Sequence, residues 1–174
     1  MVMNKHLLNL ITDDSQWADK LPNVESLSNK VFNQTINHLE KEQLSPLPSS
    51  QYFLQVNLSL SNNNTVHKLN KEFRNIDKPT NVLSFANIDD PDFETYIQTE
   101  QSIELGDIII AIETLEQEAL SKNIPLQNHF CHLFTHGILH LLGFDHQDDL
   151  EAEEMETLEI QIMQQLNIPN PYEE

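Results

Sequence analysis

The 174 residues include only three glycines, one cysteine, one tryptophan and one arginine. Three glycines cannot build a phosphate-cradling loop of the GxGxxG or P-loop kind, so nucleotide binding through such a loop is excluded. The single cysteine, Cys131, excludes an internal disulfide and fits a reducing, cytoplasmic compartment. Set in an apolar stretch, it reads as a small buried side chain. No apolar run approaches the length needed to cross a bilayer, so no membrane partner is expected. The first twelve residues have no small-residue cleavage site and read as a first strand, not as a signal peptide. Internal repeats and low-complexity tracts are absent too.

Basic side chains are scarce. Nine Lys and Arg stand against 28 Asp and Glu, for a formal net charge of −19. That balance opposes broad, non-specific binding to nucleic acid. The charges are unevenly spread: residues 148–174 hold nine acids, residues 89–104 six more, and Lys68, Lys71, Arg74 and Lys78 fall within eleven positions. An acidic chain with one basic stretch is compatible with a local anion site.

Length and pattern predict one domain over residues 1–174, α+β in class, with a small mixed sheet packed with helices. Leu7, Leu8, Leu10 and Ile11 suggest a strand over 5–12. Apolar residues from Val24 to Leu39 repeat with helical period, with Asn23 as N-cap. Pro46 and Pro48 mark a loop over 44–50. Tyr52, Leu54, Val56, Leu58 and Leu60 fall at every second position, the pattern of a half-buried strand. A short helix over 65–73 should bury Val66, Leu69 and Phe73, capped by Asn64 or Thr65, with Arg74 at its end. Residues 81–85 and 106–112 read as strands, the second buried on both faces. Between them, 88–104 is acidic and aperiodic, an exposed and mobile excursion. Three more helices follow: 113–123, 125–142 with Pro125 in its first turn, and an acidic one over 149–166. The last places Met155, Leu158, Ile162 and Leu166 inward and leaves its acidic face to solvent.

Chemistry concentrates in Thr135-His136-Gly137-Ile138-Leu139-His140-Leu141-Leu142-Gly143-Phe144-Asp145-His146. On a helix, His136 and His140 lie one turn apart on one face. Gly143 can take the left-handed conformation that ends a helix, so the chain turns back and brings His146 to the same point. Three imidazoles with a fourth position open make a catalytic zinc site, one Zn2+ per chain. His132 and His140 are separated by about 12 Å of helix axis, too far to share one ion. His129 and His132 therefore read as non-ligands, and His132 and Asp145 as residues supporting the ligands or the cleft wall.

The spacing matches the metzincin pattern H-E-x-x-H-x-x-G-x-x-H except at Gly137, where a protease carries its general-base glutamate. A zincin-like, metal-bearing helix is thus expected, but peptide hydrolysis is disfavoured unless Asp145 substitutes as the base. A three-histidine zinc lowers the pKa of bound water toward ~7, and a phosphodiester asks further for stabilisation of charge on its oxygens. Guanidinium matches phosphate with two parallel hydrogen bonds, which makes Arg74, unique in the chain, the candidate clamp. A plainer role is open to it as well, since a cation there complements the helix dipole.

Two further segments carry a resemblance. Leu69-Asn70-Lys71-Glu72-Phe73-Arg74-Asn75-Ile76-Asp77-Lys78-Pro79-Thr80-Asn81-Val82-Leu83-Ser84-Phe85 resembles the first signature of the YbeY-type endoribonucleases, and Leu105-Gly106-Asp107-Ile108 their second. His136 to His146 resembles their zinc motif, and the likeness runs from about Tyr52 to Tyr172. It implies a bacterial, zinc-dependent, single-strand-specific endoribonuclease that matures ribosomal RNA, notably the 3′ end of 16S rRNA, and serves ribosome quality control. It also implies that His136, His140 and His146 bind zinc and that activity depends on Arg74 and His136. Departures are small: Phe73 and Phe144 stand where tyrosine is common, and Ala86 follows Phe85 where proline is usual. On this reading Lys68, Lys71 and Lys78 line the metal cleft and bind RNA. A ribosomal protein or an assembly GTPase then helps deliver so acidic an enzyme. Two other classes remain open at this point, a zincin-type metallopeptidase and a non-catalytic ribosome-assembly factor with a structural zinc.

Overall fold

The computed structural model describes residues 6–47 and 51–173. Lys5, the expected start of the first strand, the rest of the N-terminal segment before it and the Pro48–Ser50 part of the expected loop lie outside the described residues. In order come β1 (Leu7–Thr12), α1 (Gln16–Lys20), α2 (Val24–Lys41), β2 (Phe53–Ser61), α3 (Asn63–Arg74), β3 (Val82–Ala86), a 3-10 turn (Asn87–Asp89), α4 (Phe93–Thr99), β4 (Ser102–Ala111), α5 (Ile112–Lys122), α6 (Leu126–Leu141) and α7 (Asp149–Gln165). The sheet is mixed, in the order β1-β2-β4-β3, with β3 alone antiparallel to its neighbour. The α+β expectation is met.

Alternation decides the faces. Leu54, Val56, Leu58 and Leu60 of β2 are buried in the main core, beneath α2 and α6. Val66 of α3 covers the opposite face near β3, with Leu83, Ile109 and Ala111. Trp17 of α1, a helix the sequence reading did not anticipate, donates its indole N–H to the Ser61 carbonyl at 2.8 Å and stands edge-on to Phe130 of α6. Polar caps start the helices that matter below. Asn62, two or three residues earlier than the expected Asn64 or Thr65, accepts from the Thr65 N–H, and Asp148 from the Glu151 N–H.

β4 begins earlier than its apolar run suggests, and a bulge explains why. Gln55 pairs with Glu104 but Val56 with Gly106, so Leu105 is the extra residue. One inserted residue reverses the alternation, so Ile103 before it, Leu105 itself, and Ile108 and Ile110 after it all enter the same core. Gly106 makes this turn at φ +138, and a Cβ there would stand 2.0 Å from the Phe85 carbonyl oxygen. The acidic stretch over 88–104 is not the irregular excursion expected. It forms the 3-10 turn and α4, pinned by buried Phe93 with Ile97 packed on the core, and its last residues join β4. Both effects fall on β3, the edge strand that walls the site.

Gly106→Ala is therefore expected to destabilise by more than about 2 kcal/mol, since backbone strain and a main-chain clash add. Urea denaturation followed by circular dichroism measures it, and a loss within ~0.5 kcal/mol would contradict the account of the bulge.

Candidate active site

α6 runs through the middle of the molecule, touching α2, α5, α7 and the sheet, and eleven of its sixteen residues are buried. Gly137 belongs to this packing. A Cβ there would meet the Ile108 side chain of β4 at 3.1 Å. A side chain at 137 would therefore start into the helix–sheet core, away from the cavity, which removes the position a zincin protease uses for its general base.

His136 and His140 emerge from this rigid helix one turn apart. Their Nε2 atoms stand 3.1 Å from each other, close to the ~3.3 Å between two nitrogens bound to one tetrahedral zinc at about 2.0–2.1 Å. The helix then stops in a Schellman motif: the Phe144 N–H reaches the Leu139 carbonyl and the Gly143 N–H that of His140, with Gly143 at φ +96. The chain reverses as anticipated. The His146 ring lies 5.6 Å from that of His136 and 5.1 Å from that of His140. One ligand atom from each of the three comes within 4.8 Å of the other two. Asp145 accepts the His146 N–H at 2.8 Å and so fastens the loop that carries the third imidazole. Burial first, then the charges of His136 and His146, hold the His140 ring below the usual histidine range. The neutral ring, the form that binds metal, is favoured. Three imidazole nitrogens at this spacing fit a zinc ion.

Glu159 of α7, which the sequence pattern does not single out, stands behind the three histidines. Its side chain is fully buried. One oxygen, Oε1, lies 3.2 Å from His136 Nδ1 and 2.7 Å from His132 Nε2, and the other accepts the Tyr172 hydroxyl at 3.0 Å. Burial pushes this carboxyl upward, but the hydrogen bonds and charges of His132 and His136 outweigh it and hold it at about 2. The carboxylate thus accepts a hydrogen bond from the Nδ1–H of His136 and leaves Nε2 free to face a metal. His132, expected to support the ligands or the cleft wall, meets the same carboxylate oxygen as His136. The sequence did carry a signal: Glu159 sits inside the Met155, Leu158, Ile162 stripe, where a solvated acid does not belong.

A cavity of about 440 Å³ opens in front of the histidines, walled across from them by Val82, Ser84 and Ala86 of β3, with Arg74 at its side. The Arg74 guanidinium donates from Nη2 to the Ser84 carbonyl at 2.9 Å and lies 5.7 Å over the Phe85 ring. Asp89 and Asp145 also line the space. Of the four clustered basic residues, Arg74 alone is among the lining residues. Lys68, Lys71 and Lys78 are exposed elsewhere on α3 and the loop after it, Lys71 facing Asp77 at 4.0 Å. The expectation that these lysines line the cleft is corrected: Lys68 and Lys71 lie off the apolar stripe of α3, and Lys78 sits in the exposed loop after it. His129, buried on α6, holds Glu118 at 2.8 Å, and Glu118 accepts from Asn81, which anchors the start of β3.

A family model described as Endoribonuclease YbeY matches residues 12–167. Endoribonuclease YbeY of Francisella tularensis subsp. tularensis strain SCHU S4 is 43% identical over 161 residues, covering 82% of this chain and 92% of that protein. The subsp. novicida protein of strain U112 is 50% identical over 121 residues, 68% of this chain and 71% of that one. Among solved structures, the solution structure of TM1509 from Thermotoga maritima superposes with a TM-score of 0.53 at 18% identity. That match covers 96% of this chain and 99% of the other, a likeness of fold.

Glu159→Gln keeps the shape of the side chain and removes its charge. Zinc affinity, measured by competition with a chromophoric chelator, is expected to fall about 10–100-fold. Unchanged affinity would mean that the carboxylate does not prepare His136.

Proposed function

This chain belongs to the Endoribonuclease YbeY family, and we propose that it cuts single-stranded RNA at one zinc ion held by His136, His140 and His146. One observation carries the reading: three imidazoles and the only arginine of the sequence open onto a single cavity. When bound, the ion supplies Lewis acidity toward a phosphoryl oxygen. The remaining chemistry falls to the chain itself. Arg74 has five N–H donors, one of which is spent on the Ser84 carbonyl. That bond aims the guanidinium along the edge of β3, with donors left over for the non-bridging oxygens of a phosphodiester. Glu159 holds the Nδ1 proton of His136 and keeps the ring from turning. The buried contact of Gly137 with Ile108 argues against peptide hydrolysis, because the position where a zincin carries its general base has no side chain and faces the core.

Within this reading the substrate is ribosomal RNA in the cytoplasm, the processing step includes the 3′ end of 16S rRNA, and the enzyme also serves ribosome quality control. Net charge supports a delivered substrate. At −19 the chain repels a polyanion at long range, so a basic ribosomal protein or an assembly GTPase brings RNA and cavity together. Lys68, Lys71 and Lys78, exposed beside Arg74 in sequence, guide the strand outside the cavity.

Cleavage of a single-stranded ribosomal RNA precursor tests the reading. A chelator is expected to abolish it and zinc to restore it. Arg74→Ala should lower the rate about 10²–10³-fold while one equivalent of zinc stays bound. Cleavage indifferent to both treatments would overturn the assignment.

A further inference from the structure

Phe73 lies on the apolar stripe of α3, and helical spacing predicts that it is buried. It is 62% exposed. The buried position in that turn goes to Asn70, whose amide donates to the Lys78 carbonyl and folds the following loop back against the helix. The last turn of α3 meets β3, the edge strand, where Phe73 touches the Phe85 ring at 5.6 Å between centroids, inclined at 67°. Arg74 lies over that same Phe85 ring and also lines the cavity. An open aromatic ring, a cation and the histidine cluster therefore follow one another around the edge of the sheet. Ile76, 40% exposed just past the helix end, adds apolar surface.

Phe73 belongs to neither core cluster, and with the Phe85 ring it touches, it presents an open aromatic surface beside Arg74. Unpaired bases stack on aromatic side chains, whereas the bases of a duplex already have both faces covered. Stacking is also indifferent to the sign of charge. That matters for a chain at −19, whose electrostatic hold on RNA is weak.

We propose that Phe73 is a base-stacking platform, on which an unpaired nucleobase lies next to the phosphate held at Arg74. The proposal rests on the ribonuclease reading above and adds to it a nucleobase subsite and a physical origin for single-strand preference. Arg74 sets the phosphate, Phe73 takes a neighbouring base, and the step around the β3 edge unstacks the strand between them.

The test is equilibrium binding of labelled single-stranded oligoribonucleotides to zinc-loaded wild type, Phe73→Ala and Phe73→Tyr. One oligonucleotide is intact, and each of the others lacks the base at one position. Wild type is expected to lose about five- to 150-fold in affinity when one particular base is removed. Phe73→Ala should bind the intact strand that much more weakly and be insensitive to removal of that base. Phe73→Tyr should restore both, and the salt dependence of binding should be the same in all three proteins, because no phosphate contact changes. Phe73→Ala binding like wild type, losing affinity equally for every oligonucleotide, or no binding of the intact strand by wild type would each overturn the proposal. The last two would make Phe73 a support for Arg74 or part of a protein-docking patch. Cleavage followed on the same samples separates the two readings. RNA cut without any coupling to Phe73 overturns the platform alone; coupled binding without cleavage supports the platform and overturns the nuclease mechanism.

Discussion

Two imidazole nitrogens held 3.1 Å apart repel each other through their lone pairs unless a proton or a cation lies between them. Holding them there takes a rigid support, and most of the fold provides it. α6 is buried among three helices and the sheet, so neither ligand-bearing turn can shift without disturbing the core. Glu159 fixes the rotation of His136 from behind, and Tyr172, whose hydroxyl is kept protonated by burial and by that same carboxylate, fixes Glu159. The Schellman turn at Gly143 brings His146 round to complete the set. The same groups that repel one another become three convergent donors once a cation is present.

The second constraint is electrostatic. A chain with 28 acids and nine basic residues has to accept a polyanion. Two acids, Asp89 and Asp145, border the cavity itself, and Asp145 is engaged with the backbone of His146. Against them the cavity sets three histidines able to hold a cation and Arg74, whose position depends on the free edge of β3: its guanidinium is bound by a backbone carbonyl, which mutation of a side chain cannot remove. That edge in turn depends on the bulge at Leu105 and Gly106, since Ala86 and Phe85 pair with Gly106 and Asp107. Active-site geometry and sheet irregularity are thus one feature seen from two sides.

Much of this was legible in the residues. The H-x3-H-x5-H spacing with its glycine yielded the histidine cluster and the chain reversal, because helix period and a left-handed turn are local properties. Arg74 stood out by being unique. Other features depended on contacts distant in sequence and left weaker marks. Glu159 looked like one more acid on an acidic helix, and only its place within the apolar stripe betrayed it. Phe73 had the right period for burial but the wrong place in space, past the supported part of α3. The three lysines shared a sequence neighbourhood with Arg74 but not its place at the cavity, since the helix turns Lys68 and Lys71 outward and Lys78 stands in the exposed loop beyond it. The bulge in β4 was invisible to a period-of-two reading, which assumes one register throughout. In each case local pattern was sound and tertiary placement decided the outcome.

The central claim is that the three histidines hold an ion with a coordination position open to phosphate beside Arg74. The visible absorption spectrum of the cobalt-substituted protein, titrated with inorganic phosphate, tests it most directly, because that spectrum reports the ligands of the metal. One equivalent of cobalt is expected, with a spectrum that changes as phosphate binds, and Arg74→Ala should need at least about tenfold more phosphate, as the loss of a charge-assisted hydrogen bond implies. A one-to-one cobalt complex whose spectrum ignores saturating phosphate would contradict the account and mark the ion as structural.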